Sequence, residues 1–423
     1  MTLEFVLLIA YLAFSCVLAY LANVAIRGNR PALAVFSGFC LFYLAFRGLM
    51  LVGGFYGEFA ILHGGMPFDP EILPKALLVC VLWVAAVRIG YGRIGHEEAD
   101  LETTISMPDS ATHLAFLAVW LTAIVALFFA SAIPNLNWLF SFVILGGIYL
   151  ILYRPRYYPR VLTLSLGLLA IVIALVQTVE RRDWAIAVGS LALIAIVSQS
   201  RKTFRLAILS TVTFVVIAFS AIMLRTGDGL SVGATLDRLS SDALLPIVEI
   251  ELDFPLIYDD LAILLDEVPR NTDYVYGSYF FKPLFSWVSR DIWRNKPDSL
   301  SRYYTQEFNP RFYTVGGSEP VTFVGELYWN FSYFGVFFAI GLGLLIRRID
   351  DYWLNGRNLL SKVNGIVLAT MLFYLLRGPI DTFWLAFAFY FGAWFAVSTG
   401  VAMLRSASLP PAVDESETQR SWQ

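Results

Sequence analysis

Runs of about 17–25 predominantly apolar residues are long enough to cross the roughly 30 Å hydrocarbon core of a bilayer as helices. Such runs recur along this chain at 3–25, 32–55, 76–94, 111–133, 137–153, 161–179, 184–200, 204–224, 323–346, 359–376 and 380–404. They predict an all-α polytopic membrane protein with about eleven transmembrane helices. A water-soluble chain of 423 residues with 58% hydrophobic and 15% charged residues could not solvate its surface. The first run lacks a preceding basic segment and is too long for a signal peptide's apolar core. It reads as a membrane helix, not a cleaved leader. The runs at 137–153 and 184–200 are short and fit tilted or displaced helices.

Basic residues alternate in density between successive connections. One set holds Arg27, Arg30, Arg88, Arg93, Arg154, Arg156, Arg160, Arg201, Lys202, Arg205, Arg347, Arg348 and Arg357. The other set's short connections hold Lys75, Arg181, Arg182 and Arg377. The thirteen should face the cytoplasm and the four the outside, which puts the N-terminus outside and the C-terminus inside. The expected organisation is then 1–224 (eight helices), 225–322 (one large outer loop), 323–404 (three helices) and 405–423 (a polar, disordered cytoplasmic tail). Within the loop, 236–268 mixes acids and apolar residues at amphipathic-helix spacing, interrupted at Pro246 and Pro255. The acids of 242–267 read as a solvated face. The stretch 274–293 is rich in aromatic residues, as suits the headgroup interface.

Charges in costly places are the first candidates for chemistry. Arg47 lies inside the second apolar run, where a charge costs a few kcal/mol and by default marks function. Arg225 and Arg377 end helices at the outer side, and Arg290, Arg294, Lys296, Arg302 and Arg311 lie in the loop. Together they suit a lipid-linked phosphate or pyrophosphate, which guanidinium groups grip through paired hydrogen bonds. For the helix-end arginines, snorkelling to headgroups is the competing reading. Glu319 in "GGSEPVT" and Glu326 in "VTFVGELYWN" are the carboxylates to consider, as a general base or as an orienter of arginine. Of the three histidines, His96 and His113 fall inside, and His63 alone falls in an outer connection.

Other chemistries find little support. Cys16, Cys40 and Cys80 all lie in apolar runs, and no His/Cys cluster has metal-ligand spacing. No metal or cofactor is therefore expected. The glycines of "TVGGSEP" lack the lysine and spacing of a phosphate-binding loop. A net charge of −3 gives no reason to expect nucleic acid.

The stretch "YVYGSYFFKPLFSWVSRDIWRNKPDS", followed by "GGSEPVTFVGELYWNFSYFGVFFAIGLG", resembles the Wzy-type oligosaccharide repeat-unit polymerases, or O-antigen polymerases. The matching positions are Tyr274, Tyr276, Gly277, Arg290, Trp293, Lys296, Pro297, Gly325, Glu326, Tyr328, Asn330, Phe331 and Gly335, over about 60 residues. The short "QSRKTF" near Arg201 is similar to a Ser-Arg element of the same proteins. Ser289 and Asn295 stand where that pattern has proline, and Ser332 where it has glycine.

The resemblance implies a GT-C-like, metal-independent glycosyltransferase of the bacterial inner membrane. It would transfer a growing glycan from undecaprenyl pyrophosphate to the non-reducing end of a new undecaprenyl-pyrophosphate-linked repeat. Donor and acceptor oligosaccharides would be its partners, with room for a chain-length regulator. Arg290, Arg294 and Lys296, with Arg47, Arg377 and Arg311, would hold pyrophosphate. Tyr276, Trp293, Tyr328 and Asn330 would contact sugar, and Glu326, then Glu319, would act as base. Two alternatives stay open. An O-antigen ligase-like transferase would bring an outer-loop histidine, and 225–322 holds none. A transporter or flippase of lipid-linked sugars would line a membrane path with cations.

Overall fold

The computed structural model describes residues 3–54, 68–94, 106–129, 136–153, 159–178, 181–197, 254–285, 288, 292–314 and 316–407. Arg290, Arg225, His63, the expected span at 204–224, the "QSRKTF" element and most of the C-terminal tail lie outside these residues. Among the described residues no strand forms, and Ser106 and Asn358 make an isolated bridge. In chain order the helices are α1 (Leu3–Arg27), α2 (Pro31–Val52), α3 (Pro70–Tyr91), α4 (Ser110–Phe128) and α5 (Phe140–Leu152). Then follow α6 (Arg160–Thr178), α7 (Arg181–Val197), α8 (Phe254–Glu267), α9 (Leu300–Phe308) and α10 (Pro310–Thr314). The last four are α11 (Phe323–Phe331), α12 (Gly335–Asn355), α13 (Leu359–Arg377) and α14 (Ile380–Ala407).

Seven spans among the described residues are long and apolar enough to cross a membrane: α1, α2, α3, α4, the α11–α12 pair, α13 and α14. Two further apolar stretches, Phe140–Leu152 and Arg160–Ala174, fall short of that length. The chain is thus an all-α, multi-pass membrane protein. Two boundaries differ from the apolar windows for local reasons. The α3 span starts at Pro70 because Asp69 caps it, accepting the Glu71 N–H at 3.0 Å. Pro70, at its first position, lacks only an N–H group that would be orphaned there anyway. α12 runs on through Arg347, Arg348 and Asp350 because Asp350 is buried rather than solvated. Its carboxylate accepts the N–H groups of Ala32 and Leu33 at 2.8 and 3.2 Å, and the Tyr91 hydroxyl at 3.0 Å. It thereby serves as the N-terminal cap of α2, satisfying donors that a helix start otherwise leaves orphaned.

Contacts at helix ends define two faces. At one face Arg30 pairs with Asp351 at 3.1 Å, Arg405 with Asp109 at 3.0 Å, and Ser106 donates to the Arg357 carbonyl at 2.9 Å. At the other, α8 and the single turn at Lys282–Phe285 pack on the ends of α2, α3 and α14. This second face, the loop face, carries the candidate site.

The spans approach closely through glycine. A Cβ on Gly343 of α12 would lie 2.1 Å from the Val87 carbonyl oxygen of α3. A Cβ on Gly90 of α3 would lie 2.0 Å from the Ile340 carbonyl oxygen of α12. Without a strong hydrophobic drive between helices in lipid, such backbone contact holds the pair. Gly343→Ala is expected to cost about 1–3 kcal/mol by overpacking, read as a lowered unfolding midpoint in detergent. An unchanged midpoint would mean that the two helices separate freely.

Candidate functional site

α8 is buried nearly all round, and the reason lies in "YDD". Consecutive helical residues fan out by about 100°, so Tyr258, Asp259 and Asp260 point to three different neighbours. The Tyr258 hydroxyl meets that of Tyr11 on α1, and the Tyr11 hydroxyl also donates to the Leu73 carbonyl at 3.1 Å. Asp259 accepts from Arg47 of α2 in a two-pronged grip, Nε to Oδ1 at 3.1 Å and Nη2 to Oδ2 at 2.7 Å. Asp260 Oδ1 accepts the Tyr304 hydroxyl of α9 at 3.0 Å. The expected solvated face is therefore corrected: Asp259 and Asp260 are 3% and 2% exposed. Asp266 and Glu267 at the end of the helix remain partly exposed, pairing with Arg270 and Asn271.

Arg47 reaches this position through a local change of helix. Residues Cys40–Phe46 form a π-helix, which changes the angular register just before Arg47. Such π segments are rare and concentrate at functional sites.

Glu319 joins the same cluster from the other side of α9. Its N–H donates to Thr305 Oγ1 at 2.7 Å and its Oε1 accepts from Asn309 Nδ2 at 2.7 Å. The next turn of the chain is pinned by the Val321 N–H to Ser301 Oγ at 3.3 Å. Asp260 thus lies near both Glu319 and the Arg47-paired Asp259. Burial pushes the Asp259 carboxyl up, opposed by Arg47. Burial pushes Asp260 well above the carboxylate range, and the nearby Glu319 and Asp259 add to it while the Tyr304 hydrogen bond opposes it. Glu319 is also raised by burial, against its bond to Asn309. Asp260 Oδ2 is buried and has no hydrogen-bond partner. A buried polar atom is normally satisfied, so this oxygen is the feature of the cluster that needs a reason.

The other expected site residues are dispersed. Glu326 is 1% exposed and accepts the Ile380 N–H at 2.7 Å, which caps α14. Lys282 pairs with Asp381 at 2.8 Å, and both lie close enough to Glu326 to act on its charge. Arg377, three residues before Ile380, lies near Tyr43 of α2. Glu326 and Arg377 therefore sit around the start of α14, while Glu319 and Arg47 sit around α8. Tyr328 is buried and donates to the Val268 carbonyl at 3.1 Å, with Lys75 over its ring. Asn330 is buried and donates to the Glu326 carbonyl within its own helix at 2.8 Å. Arg294, Arg311 and Trp293 are exposed, and Tyr276 is 80% exposed. Lys296 is half-buried, with Nζ donating to the Val288 carbonyl at 2.9 Å.

Asp259, Asp260, Tyr304, Lys282 and Asp381 were not singled out by sequence. Their signal was available in "PLIYDDLAILL", where polar residues sit in a helix with no polar stripe. Ser332, standing where glycine is usual in the resembled pattern, has φ +53°. A positive φ there suits glycine better than serine. Among the described residues no three His, Cys, Asp or Glu side chains are placed to hold a metal ion. Comparison with protein-family models, with curated proteins and with solved structures finds no match to this chain.

Proposed function

We propose that this protein is a glycosyltransferase that joins lipid-linked oligosaccharide repeat units, moving the growing glycan from undecaprenyl pyrophosphate onto a new lipid-linked repeat at the outer face of the inner membrane. The observation that carries the proposal is the orphaned Asp260 Oδ2 in a cluster of acids and arginine on the loop face. A carboxylate oxygen held ready with no donor suits a sugar hydroxyl. In the reaction, the acceptor hydroxyl gives its proton to Asp260 Oδ2. The freed oxygen forms a bond to the donor's anomeric carbon, and the bond from that carbon to pyrophosphate breaks. The electron pair leaves with the pyrophosphate, whose charge arginines and lysine of the loop face stabilise. Tyr304 orients Asp260 through Oδ1, and Glu319, raised like Asp260, is the second acid able to hold the proton. Since Asp260 is buried, the loop must move aside to admit the hydroxyl, as closing loops commonly do.

The interruption of the span Phe323–Asn355 at Ser332–Phe334 favours a second reading, transport of lipid-linked sugar, because broken helices line many transporter sites. Two experiments separate the readings. Cells lacking the gene should display glycan of one repeat only. Accumulated unattached polymer would point to a ligase, and loss of all surface repeats to a transporter. The purified protein in liposomes, given lipid-linked repeats extracted from those cells, should produce a ladder of glycan lengths. No ladder from active-folded protein would sink the proposal.

A further inference from the structure

Glu326 and Arg347 bracket twenty residues of the α11–α12 span with no charge among them. Twenty helical residues rise about 30 Å, the thickness of a hydrocarbon core, so the core lies along this stretch. The break at Ser332–Phe334 falls inside it. A helix that stops within the core leaves its last carbonyls without helical partners, and no water is there to take them. One of them, the Trp329 carbonyl, accepts the N–H of Val275 from the loop at 3.1 Å. The Tyr274 and Ser332 hydroxyls meet at 3.0 Å. The loop therefore follows α11 down to the level of the break.

Residues 277–285 turn the loop at that level. Phe280 packs against Phe331 and Phe338, with ring centroids 5.3 and 5.0 Å away. Phe338 is nine residues before Arg347, well inside the uncharged stretch. A turn resting so deep needs its backbone donors paired within the protein. The N–H groups of Ser278, Phe281 and Lys282 donate to the carbonyls of Val275, Gly277 and Tyr279 at 3.0, 3.1 and 3.2 Å. The one charge in the turn, Lys282, is paired with Asp381 at the start of α14, as a charge at membrane depth requires.

The surface this turn shows outward is apolar. Phe281 and Phe285 are 53% and 48% exposed. Trp293 meets Phe285 edge to face at 6.3 Å, and Ile292 beside it is 81% exposed. The patch runs on from Phe281 to Phe280 and Phe338, and so to the exposed Phe337 of α12. Phe337 lies on a membrane span, where exposed apolar side chains meet lipid. In water a continuous aromatic patch of this kind would be a liability. Next to a lipid-facing helix it extends the same surface.

We propose that residues 277–285 are inserted into the leaflet on the loop face, with Phe281 and Phe285 against the acyl chains of its phospholipids. The partner is the lipid surface itself. Exposed Arg294 and Asn295 follow Ile292 and Trp293 and return the chain to the headgroups. The contact does not depend on the chemistry of the acid cluster. The test places a nitroxide label at Phe281→Cys or Phe285→Cys in the full chain, in phosphatidylcholine liposomes. Cys16→Ser removes the exposed native thiol, and the other two cysteines are buried. Oxygen, which collects in lipid, should relax both labels more than a water-soluble nickel chelate does, as it should for Phe337→Cys. A label at Gln306→Cys, on the exposed side of α9, should show the reverse. Labels at 281 and 285 that behave like the one at 306 would place the patch in water and overturn the proposal. Labels shielded from both reagents would overturn it too, since a second copy or another protein would then cover the patch. If a cysteine variant does not fold, a phospholipid with a photoreactive acyl chain decides with the wild-type protein. Adducts are expected on Phe281 and Phe285 as well as on Phe337, and adducts on Phe337 alone would defeat the insertion.

Discussion

Asp260→Asn is expected to leave the protein folded and to lower chain growth by about 10²–10⁴-fold, the usual worth of a positioned general base. Asparagine keeps an acceptor for the Tyr304 hydroxyl and removes the proton acceptor at Oδ2. The pH dependence adds a second reading of the same residue. A base works when deprotonated, and burial and Glu319 raise Asp260, so wild-type activity should climb with pH above the ordinary carboxylate range. Stability should run the other way. An acid raised in the folded state binds its proton more tightly there than in the unfolded chain. Its contribution is fully present below the unfolded carboxylate pKa and is lost as pH rises through the raised folded value. Asp260→Asn removes that loss, so near neutral pH it should be as stable as wild type or more so. A variant that is less stable and fully active would assign Asp260 to structure. The glycan ladder and a detergent unfolding series at several pH values check both halves.

Arg47→Met is expected to cost about 3–5 kcal/mol, since it strands a buried carboxylate that had two strong donors. The double substitution Arg47→Met with Asp259→Leu should recover much of that loss, because well-packed apolar residues commonly replace a buried ion pair at little cost. The single variant's deficit should shrink in acid, where Asp259 takes up a proton, and grow as pH rises. Unfolding midpoints of the two singles and the double provide the measurement. A single-variant cost under about 1 kcal/mol would show that the pair is solvated, as exposed ion pairs are.

The seven spans were legible because the bilayer demands long apolar runs whatever the packing. The π-helix was not, for nothing in "CLFYLAF" distinguishes five-residue hydrogen bonding from four. Arg47 stood out as a cation in an apolar run, yet its partner did not, because 212 residues separate it from Asp259. Glu319 and Glu326 were both legible as candidates from local context, and the structure separates their surroundings. Glu319 faces Asn309 and the acids of α8, while Glu326 caps α14. Asp259 and Asp260 of α8 were misread because mixed acidic and apolar sequence usually means one wet face. Here these two each have a buried partner, while Asp266 and Glu267 pair near the surface with Arg270 and Asn271.

The three-way attachment of α8 limits what length changes the chain can accept. Substituting Tyr258, Asp259 or Asp260 one at a time breaks one attachment and leaves two. Adding or deleting a single residue earlier in the helix would turn all three by about 100° together, aiming each at the wrong neighbour. The segment from Phe254 to Tyr258 should therefore tolerate changes of residue far better than any change in its number of residues.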